Sequence, residues 1–232
     1  MTFPNASHRT AIVGRTGSGK TQFGLYFLGK QMNGAWRDMP VTIIDPKHSK
    51  MIAELDAKSL KMTDKPPSEP GLYVIRPFPG DDDKAMTEYL LRIWEQENHG
   101  TYYDEILDLG PRNRGFRRLL SQGREKNCPM IYCTQRPRWV DMYSLTEADF
   151  VCSFALTKKA DKLTVEEYAP GYMQKKLNKF HSYWYDIADD KGVFLSPCPS
   201  KDDILARYYP EYIDDPPPVV AQSDRERQKV LL

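Results

Sequence analysis

Residues 11–21 combine a short apolar run with three glycines, a lysine and two threonines. The run Ala11-Ile12-Val13 leads directly into Gly14-Arg15-Thr16-Gly17-Ser18-Gly19-Lys20-Thr21, which has the spacing G-x-x-x-x-G-K-T. The glycines let the backbone curl until successive N–H groups point inward at a polyphosphate. The pattern therefore predicts a strand, a phosphate-binding loop and a helix that together hold a nucleotide.

Two side chains at the end of this loop carry its chemistry. Lys20 is expected to place a positive charge on the β- and γ-phosphates, and the Thr21 hydroxyl is expected to ligate Mg²⁺. A helix that starts at Thr21 would point the positive end of its dipole at the same anions. We therefore expect a nucleotide and Mg²⁺ as ligands. The competing interpretation is a glycine-rich turn with a solvated lysine.

A pair of carboxylates, Asp104 and Glu105, follows the short strand Tyr102-Tyr103. Adjacent residues on a strand point to opposite faces, so the two carboxylates cannot share one role. Asp104 suits a contact to Mg²⁺ or to its water. Glu105 suits the orientation and deprotonation of an attacking water. The alternative is an acidic pair on the surface.

Two further strands end in polar residues. The strand Met130–Cys133 is followed by Thr134 and Gln135, whose carboxamide can donate to a γ-phosphate and accept from the attacking water. The alternative for Gln135 is a turn residue that caps the strand. Asp45 follows the strand Val41–Ile44 at the same predicted edge of the sheet. It is either a secondary carboxylate near the site or a turn former.

An arginine that acts on a neighbouring subunit is the remaining catalytic candidate. A helix predicted over Gly115–Lys126 places Arg117 and Arg124 on one face, opposite its apolar stripe. Neither arginine is then expected to point at its own phosphate loop. We expect Arg124 to be the finger that stabilises a neighbour's transferring phosphoryl group. Arg117 and Arg118 are the next candidates, and a solvated or DNA-facing arginine is the alternative.

Strand-like and helix-like segments alternate along the chain, which indicates an α/β fold with a mostly parallel sheet flanked by helices. A terminal β-hairpin is predicted from Tyr183–Ile187 and Gly192–Leu195. We expect one domain over residues 1–213 and a flexible tail over 214–232, which begins with two aspartates and three prolines. The other predicted strands are Thr10–Val13, Leu72–Ile75 and Phe150–Phe154.

The composition is that of a globular protein, with 40% hydrophobic and 12% aromatic residues in 232. No apolar run approaches the ~18–20 residues that cross a bilayer, and the amino terminus lacks a signal pattern, so we expect a soluble intracellular protein. The four cysteines show no C-x-x-C pair, which favours buried free thiols. The histidines are scattered, and no metal cluster is expected beyond the Mg²⁺ that accompanies a nucleotide.

Positive charge is concentrated in one block of the chain. The net charge is +1, but residues 109–138 hold eight Lys/Arg and one acid, Glu125, which leaves the rest of the chain at −6. Such a block indicates either a local contact with a polyanion or a solvated helix face.

These motifs resemble those of the FtsK–HerA superfamily of ring-forming, RecA-like P-loop ATPases that move DNA. The matches are GRTGSGKT, IIDPKHSK and LLSQGREKNCPMIYCTQRP, within residues 8–160. The compact chain looks most like the genome-packaging ATPases of membrane-containing, double-jelly-roll viruses. That resemblance implies that Lys20, Thr21 and Asp104 hold Mg·ATP. It assigns Glu105 as the base, Gln135 as the sensor and Arg124 as the finger.

The resemblance also implies partners and a location. It implies a homo-oligomeric ring on double-stranded DNA, with a capsid vertex or a membrane protein as a further partner. The location is then the host cytoplasm or the virion vertex. Three alternatives remain open at this point: a DNA-transfer ATPase of a plasmid or cell, a small-molecule kinase, and a nucleotide-switched scaffold with negligible turnover.

Overall fold

The computed structural model describes residues 3–78, 83–110 and 112–208. The predicted end of the domain at residue 213 and the predicted tail over 214–232 lie outside these residues. Within them, one sheet contains nine strands: β1 Arg9–Val13, β2 Pro40–Ile44, β3 Lys58–Leu60, β4 Gly71–Ile75, β5 Gly100–Tyr103, β6 Met130–Thr134, β7 Phe150–Phe154, β8 Ser182–Asp186 and β9 Lys191–Leu195.

Helices cover both faces of this sheet. Apolar side chains of α1, α2 and α7 pack on one face, and those of α3, α4, α5 and α6 pack on the other. In the part of the chain that the structure describes, none of them is long and apolar enough to cross a membrane. The helices are α1 Lys20–Met32, α2 Lys50–Ala53, α3 Asp83–Gln96, α4 Arg114–Gln122, α5 Tyr143–Thr146, α6 Lys159–Tyr168 and α7 Lys201–Ala206.

The strand order is β3-β4-β2-β5-β6-β1-β7-β8-β9. All neighbouring pairs are parallel except β7–β8 and β8–β9, which form the antiparallel end of the sheet. The predicted α/β fold with a terminal hairpin is therefore confirmed. Because β6 lies between β1 and β5, residues that follow these three strands meet at one edge of the sheet.

Burial on both faces explains why the central strands are continuous apolar runs. All five residues of β1 are buried, with Ala11 and Val13 in the core beneath α3 and α4. Ile12 points the other way, into the core beneath α1. Cys128, Cys133 and Cys152 are buried free thiols, as predicted, and Cys198 is half-buried.

Some boundaries differ from the predictions. Three of the four ends of the hairpin strands lie one residue earlier than predicted. The short elements β3, α2, α5, α6 and α7 were not predicted. The helix predicted over Gly115–Lys126 ends at Gln122. The chain turns after this helix because Gly123 O accepts a hydrogen bond from Cys128 N at 2.8 Å and Asn127 adopts a positive φ of 52°. The prediction that Arg117 and Arg124 share a helix face is therefore wrong.

A buried histidine next to β5 makes stability depend on pH. His99 is fully buried, and its Nε2 lies 2.9 Å from Thr42 Oγ1. Burial lowers the pKa of His99 from 6.5 to about 4. Above pH 6.5 the ring is neutral in both folded and unfolded chains; below it, only the unfolded chain takes up the proton. Stability is therefore lost as pH falls from 6.5 towards 4.

We expect His99 to remove about 2 kcal/mol of unfolding free energy between pH 7 and pH 5. Urea unfolding at both pH values measures this loss, and the variant H99Q should lack it. His181 is half-buried, so H181Q is the matched control and should keep the wild-type dependence. An equal loss in H99Q and wild type would contradict the assignment to His99.

Candidate nucleotide-hydrolysis site

The phosphate loop runs from the end of β1 to the start of α1. Gly17 and Gly19 have positive φ angles of 72° and 104°, which side-chain-bearing residues rarely adopt. Gly14 is required for a different reason, because a Cβ there would lie 2.6 Å from Phe154 Cβ. The predicted strand, loop and helix are thus present, and the loop has the curl that an anion cradle needs.

Lys20 lies within this curl. Its Nζ donates to the carbonyl oxygens of Gly14 at 2.6 Å and Arg15 at 3.1 Å. Burial lowers the pKa of Lys20, and the nearby carboxylates of Glu105 and Asp104 act against this effect. The ammonium group is held by carbonyls at the floor of the loop, where it can turn to meet phosphate oxygens.

The two residues predicted to hold Mg²⁺ contact each other. Thr21 Oγ1 donates to Asp104 Oδ1 at 2.9 Å, and Tyr102 OH donates to the same oxygen at 2.8 Å. Asp104 is fully buried. The Thr21 hydroxyl at the start of α1 and the Asp104 carboxylate after β5 are hard oxygen donors of the type that Mg²⁺ prefers, so these residues fit the ion.

Lys47 is a residue of this site that sequence reasoning did not assign. Its Nζ lies 2.8 Å from Asp104 Oδ2. Burial opposes its charge, but Asp104 attracts and hydrogen-bonds the ammonium group more strongly, so the pKa of Lys47 is raised. The signal was present in the sequence, because Lys47 belongs to the Asp45-Pro46-Lys47 segment that follows β2.

Asp45 itself is a turn former. Both of its carboxylate oxygens accept from Ser49 N at 3.0 Å, and Arg76 Nε lies 3.5 Å from Oδ2. These contacts fix the turn between β2 and α2 and thereby place Lys47 beside Asp104. Of the two interpretations for Asp45, the structural one is therefore supported.

Glu105 has one engaged oxygen and one free oxygen. Its Oε1 accepts from Leu107 N and Gln135 N, each at 3.3 Å. Its Oε2 is buried and has no hydrogen-bond partner among the described residues. Burial raises the pKa of Glu105, and the positive charges of Lys47 and Lys20 partly offset this effect. A carboxylate with a free buried oxygen can accept a hydrogen bond from a water.

Gln135 connects this carboxylate to the phosphate loop. Thr16 Oγ1 donates to Gln135 Oε1, while Gln135 N donates to Glu105 Oε1. The loop, the strand end at Gln135 and the carboxylate at Glu105 are therefore joined by direct hydrogen bonds. The structure brings together every predicted site residue except Arg124.

Arg124 lies at the opposite edge of the sheet. Its guanidinium pairs with Asp149, which also pairs with Arg9 at 2.9 Å. Arg9 begins β1 and Asp149 immediately precedes β7, so this cluster marks the edge where the strands start. Arg124 cannot reach its own phosphate loop, and its side chain is 56% exposed. A role towards a neighbouring subunit stays a prediction.

The other finger candidates are engaged within the chain. Arg117 pairs with Asp141, and Arg118 lies over the Trp94 ring at 4.9 Å from its centroid. Two further ion pairs join Lys126 to Glu97 and Arg136 to Asp161, so four of the eight basic residues in the block at 109–138 form ion pairs within the described residues.

The fold and the site define the chain as a RecA-like P-loop ATPase. One curated relative is the DNA packaging ATPase P9 of Enterobacteria phage PRD1, which is 32% identical over 217 residues, 88% of this chain and 93% of the relative. The chain belongs to this family of DNA packaging ATPases. No family model matches it.

Solved structures agree with this fold. The genome packaging NTPase B204 of Sulfolobus turreted icosahedral virus 2, in complex with AMP, superposes with a TM-score of 0.68 at 16% identity; the match covers 84% of this chain and all of B204. A complex of B204 with AMPPCP gives 0.66. ATPases 2 and 3 of EssC from Geobacillus thermodenitrificans give 0.62 at 10% identity, over 87% of this chain and 43% of EssC.

Proposed function

We propose that this chain hydrolyses Mg·ATP to drive double-stranded DNA into a viral capsid. It works as a homo-oligomeric ring whose nucleotide sites lie at subunit interfaces. The observation that carries the proposal is the free buried oxygen of Glu105, joined through Gln135 to the phosphate loop at Thr16. A free carboxylate oxygen can orient and deprotonate an attacking water, the step that ATP hydrolysis requires.

Each residue has a defined task in this reaction. The loop amides and Lys20 bind the phosphates, and Thr21 and Asp104 would hold Mg²⁺, which would neutralise charge on the phosphate oxygens. Glu105 Oε2 orients the attacking water and takes its proton. Gln135 bonds to both Thr16 and Glu105, so it couples the position of the loop to the position of the base.

The next residues offer a route from hydrolysis to DNA. Arg136 follows Gln135 and pairs with the buried Asp161 at 3.1 Å, so it anchors the segment. Arg138 is exposed and forms no ion pair within the described residues. Exposed lysines that likewise lack an ion pair are Lys158, Lys159, Lys175 and Lys176; Lys158 shares a cavity with Arg136 and Arg15, and Lys175 and Lys176 share a second cavity with Arg15. Such a surface binds phosphates without reading sequence.

We expect duplex DNA to stimulate phosphate release, and turnover per subunit to rise with protein concentration as rings assemble. An ATPase titration at several protein concentrations measures both effects. R138E should remove most of the stimulation and leave basal hydrolysis intact. Lys65 is exposed near β3, far from this surface, so K65E is the matched control.

Other outcomes would contradict the proposal. Turnover that DNA does not stimulate would argue against a DNA motor. Turnover per subunit that is independent of concentration would argue against a shared site. A collapse of basal hydrolysis in R138E would place Arg138 in the nucleotide site instead.

A further inference from the structure

Phe180 lies against the phosphate loop, although nothing in the sequence assigned it to the site. Its Cδ1 is 3.0 Å from the position that a Cβ on Gly19 would occupy. Together with Gly19, Thr21 and Gln22, the ring lines a cavity of about 290 Å³ that also contains Lys20. The ring is 38% exposed and belongs to neither apolar core. Packing of the interior therefore does not account for its position.

The backbone at Phe180 is in an unfavourable conformation. Its φ is 63°, in the left-handed region that bulky residues rarely adopt. The turn is closed by His181 N, which donates to Asn178 O at 3.2 Å. Strained residues of this type cluster at ligand-binding segments. Here the strained conformation directs an aromatic ring at the opening of the nucleotide cavity.

The strand order indicates which part of a nucleotide would meet this ring. Gln135 follows β6, on one side of β1, and Phe180 precedes β8, which lies beyond β7 on the other side. Gly19 also faces β7, since its Cβ position is 3.6 Å from Phe154 Cε1. A nucleotide whose terminal phosphate faces Gln135 must therefore extend its base towards Phe180.

We propose that Phe180 is the stacking platform for the base of the bound nucleotide. Lys179 Nζ lies over the ring at 4.7 Å from its centroid. The inference rests on the proposed ATPase function and adds a base subsite to it. Aromatic rings suit this task because every base presents a π-face.

The test compares two ligands that differ in the base. Calorimetry measures the Kd of ATP and of inorganic triphosphate, both with Mg²⁺, for wild type, F180A and F180W. We expect F180A to weaken ATP binding about 10-fold and to leave triphosphate binding within about twofold. F180W should bind ATP as tightly as wild type. Trp139 is exposed and does not line the cavity, so W139A is the matched control and should change neither Kd.

Two results would overturn the inference. An equal loss of affinity for ATP and triphosphate in F180A would show that the ring supports the loop and does not hold the base. Unchanged ATP affinity in F180A would place the base elsewhere. If wild type bound triphosphate but not ATP, the proposed function would fail as well. That result concerns the wild-type protein and can be distinguished from the two outcomes for F180A.

Discussion

Replacement of Glu105 by Gln is expected to reduce ATP hydrolysis by about 10³-fold while ATP binding is kept. The carboxamide has the shape of the carboxylate and can still accept from Leu107 N and Gln135 N, as Glu105 Oε1 does at 3.3 Å. It cannot take a proton from water. Because the loop residues are untouched, the affinity for ATP should stay within a fewfold of wild type.

Single-turnover phosphate release and equilibrium ATP binding measure the two quantities separately. Glu125 lies near the end of α4, on an exposed turn, and E125Q is the matched control with the same change of charge. E125Q should hydrolyse ATP at the wild-type rate. Near-normal hydrolysis in E105Q would remove Glu105 as the base and would favour the nucleotide-switched scaffold.

Replacement of Arg124 by Ala is expected to lower turnover by about 10³-fold or more, because the guanidinium would no longer reach a neighbour's phosphate. K20A should be inactive for a different reason, the loss of the lysine within its own loop. If the two residues serve the same site from different subunits, mixing the two inactive variants must create complete sites. Such sites combine Lys20 of one subunit with Arg124 of the next.

The mixing experiment therefore has a quantitative outcome. An equimolar mixture of R124A and K20A should recover about a quarter of wild-type turnover if the two variants occupy positions in the ring at random and the sites act independently. R118A, which removes an arginine from the same chain region, should retain activity. A mixture that stays inactive, or R124A that is active alone, would contradict the finger assignment.

Much of this site could be predicted from the sequence because parallel strands bring their ends to one edge. The loop at Gly14–Thr21 and the polar residues after β5 and β6 were identified from their position after apolar runs. The edge contact between Thr16 and Gln135 follows from the pairing of β1 with β6. The prediction needed only the order of strands and turns, which local sequence patterns carry.

The remaining features depend on register and on turns. Lys47 reaches Asp104 because Ile44 pairs with Tyr103, so the residues after β2 and β5 are neighbours. No local pattern reveals which strand lies next to β2. The end of α4 was missed because Gly123 continues a helical pattern until Cys128 N bonds to it from outside the helix. Phe180 was missed because its position beside the phosphate loop depends on a turn conformation.

Asp149 binds two arginines at once, and this arrangement affects how an arginine could exchange between subunits of the proposed ring. If Arg124 swings away to an adjoining protomer, the carboxylate keeps its bonds from the backbone N of Arg9 at 2.8 Å and from its Nε at 2.9 Å. No bare anion is left behind, so the exchange carries little penalty. In the proposed ring, the contact with Asp149 would therefore hold Arg124 reversibly, as repeated exchange between neighbouring protomers requires.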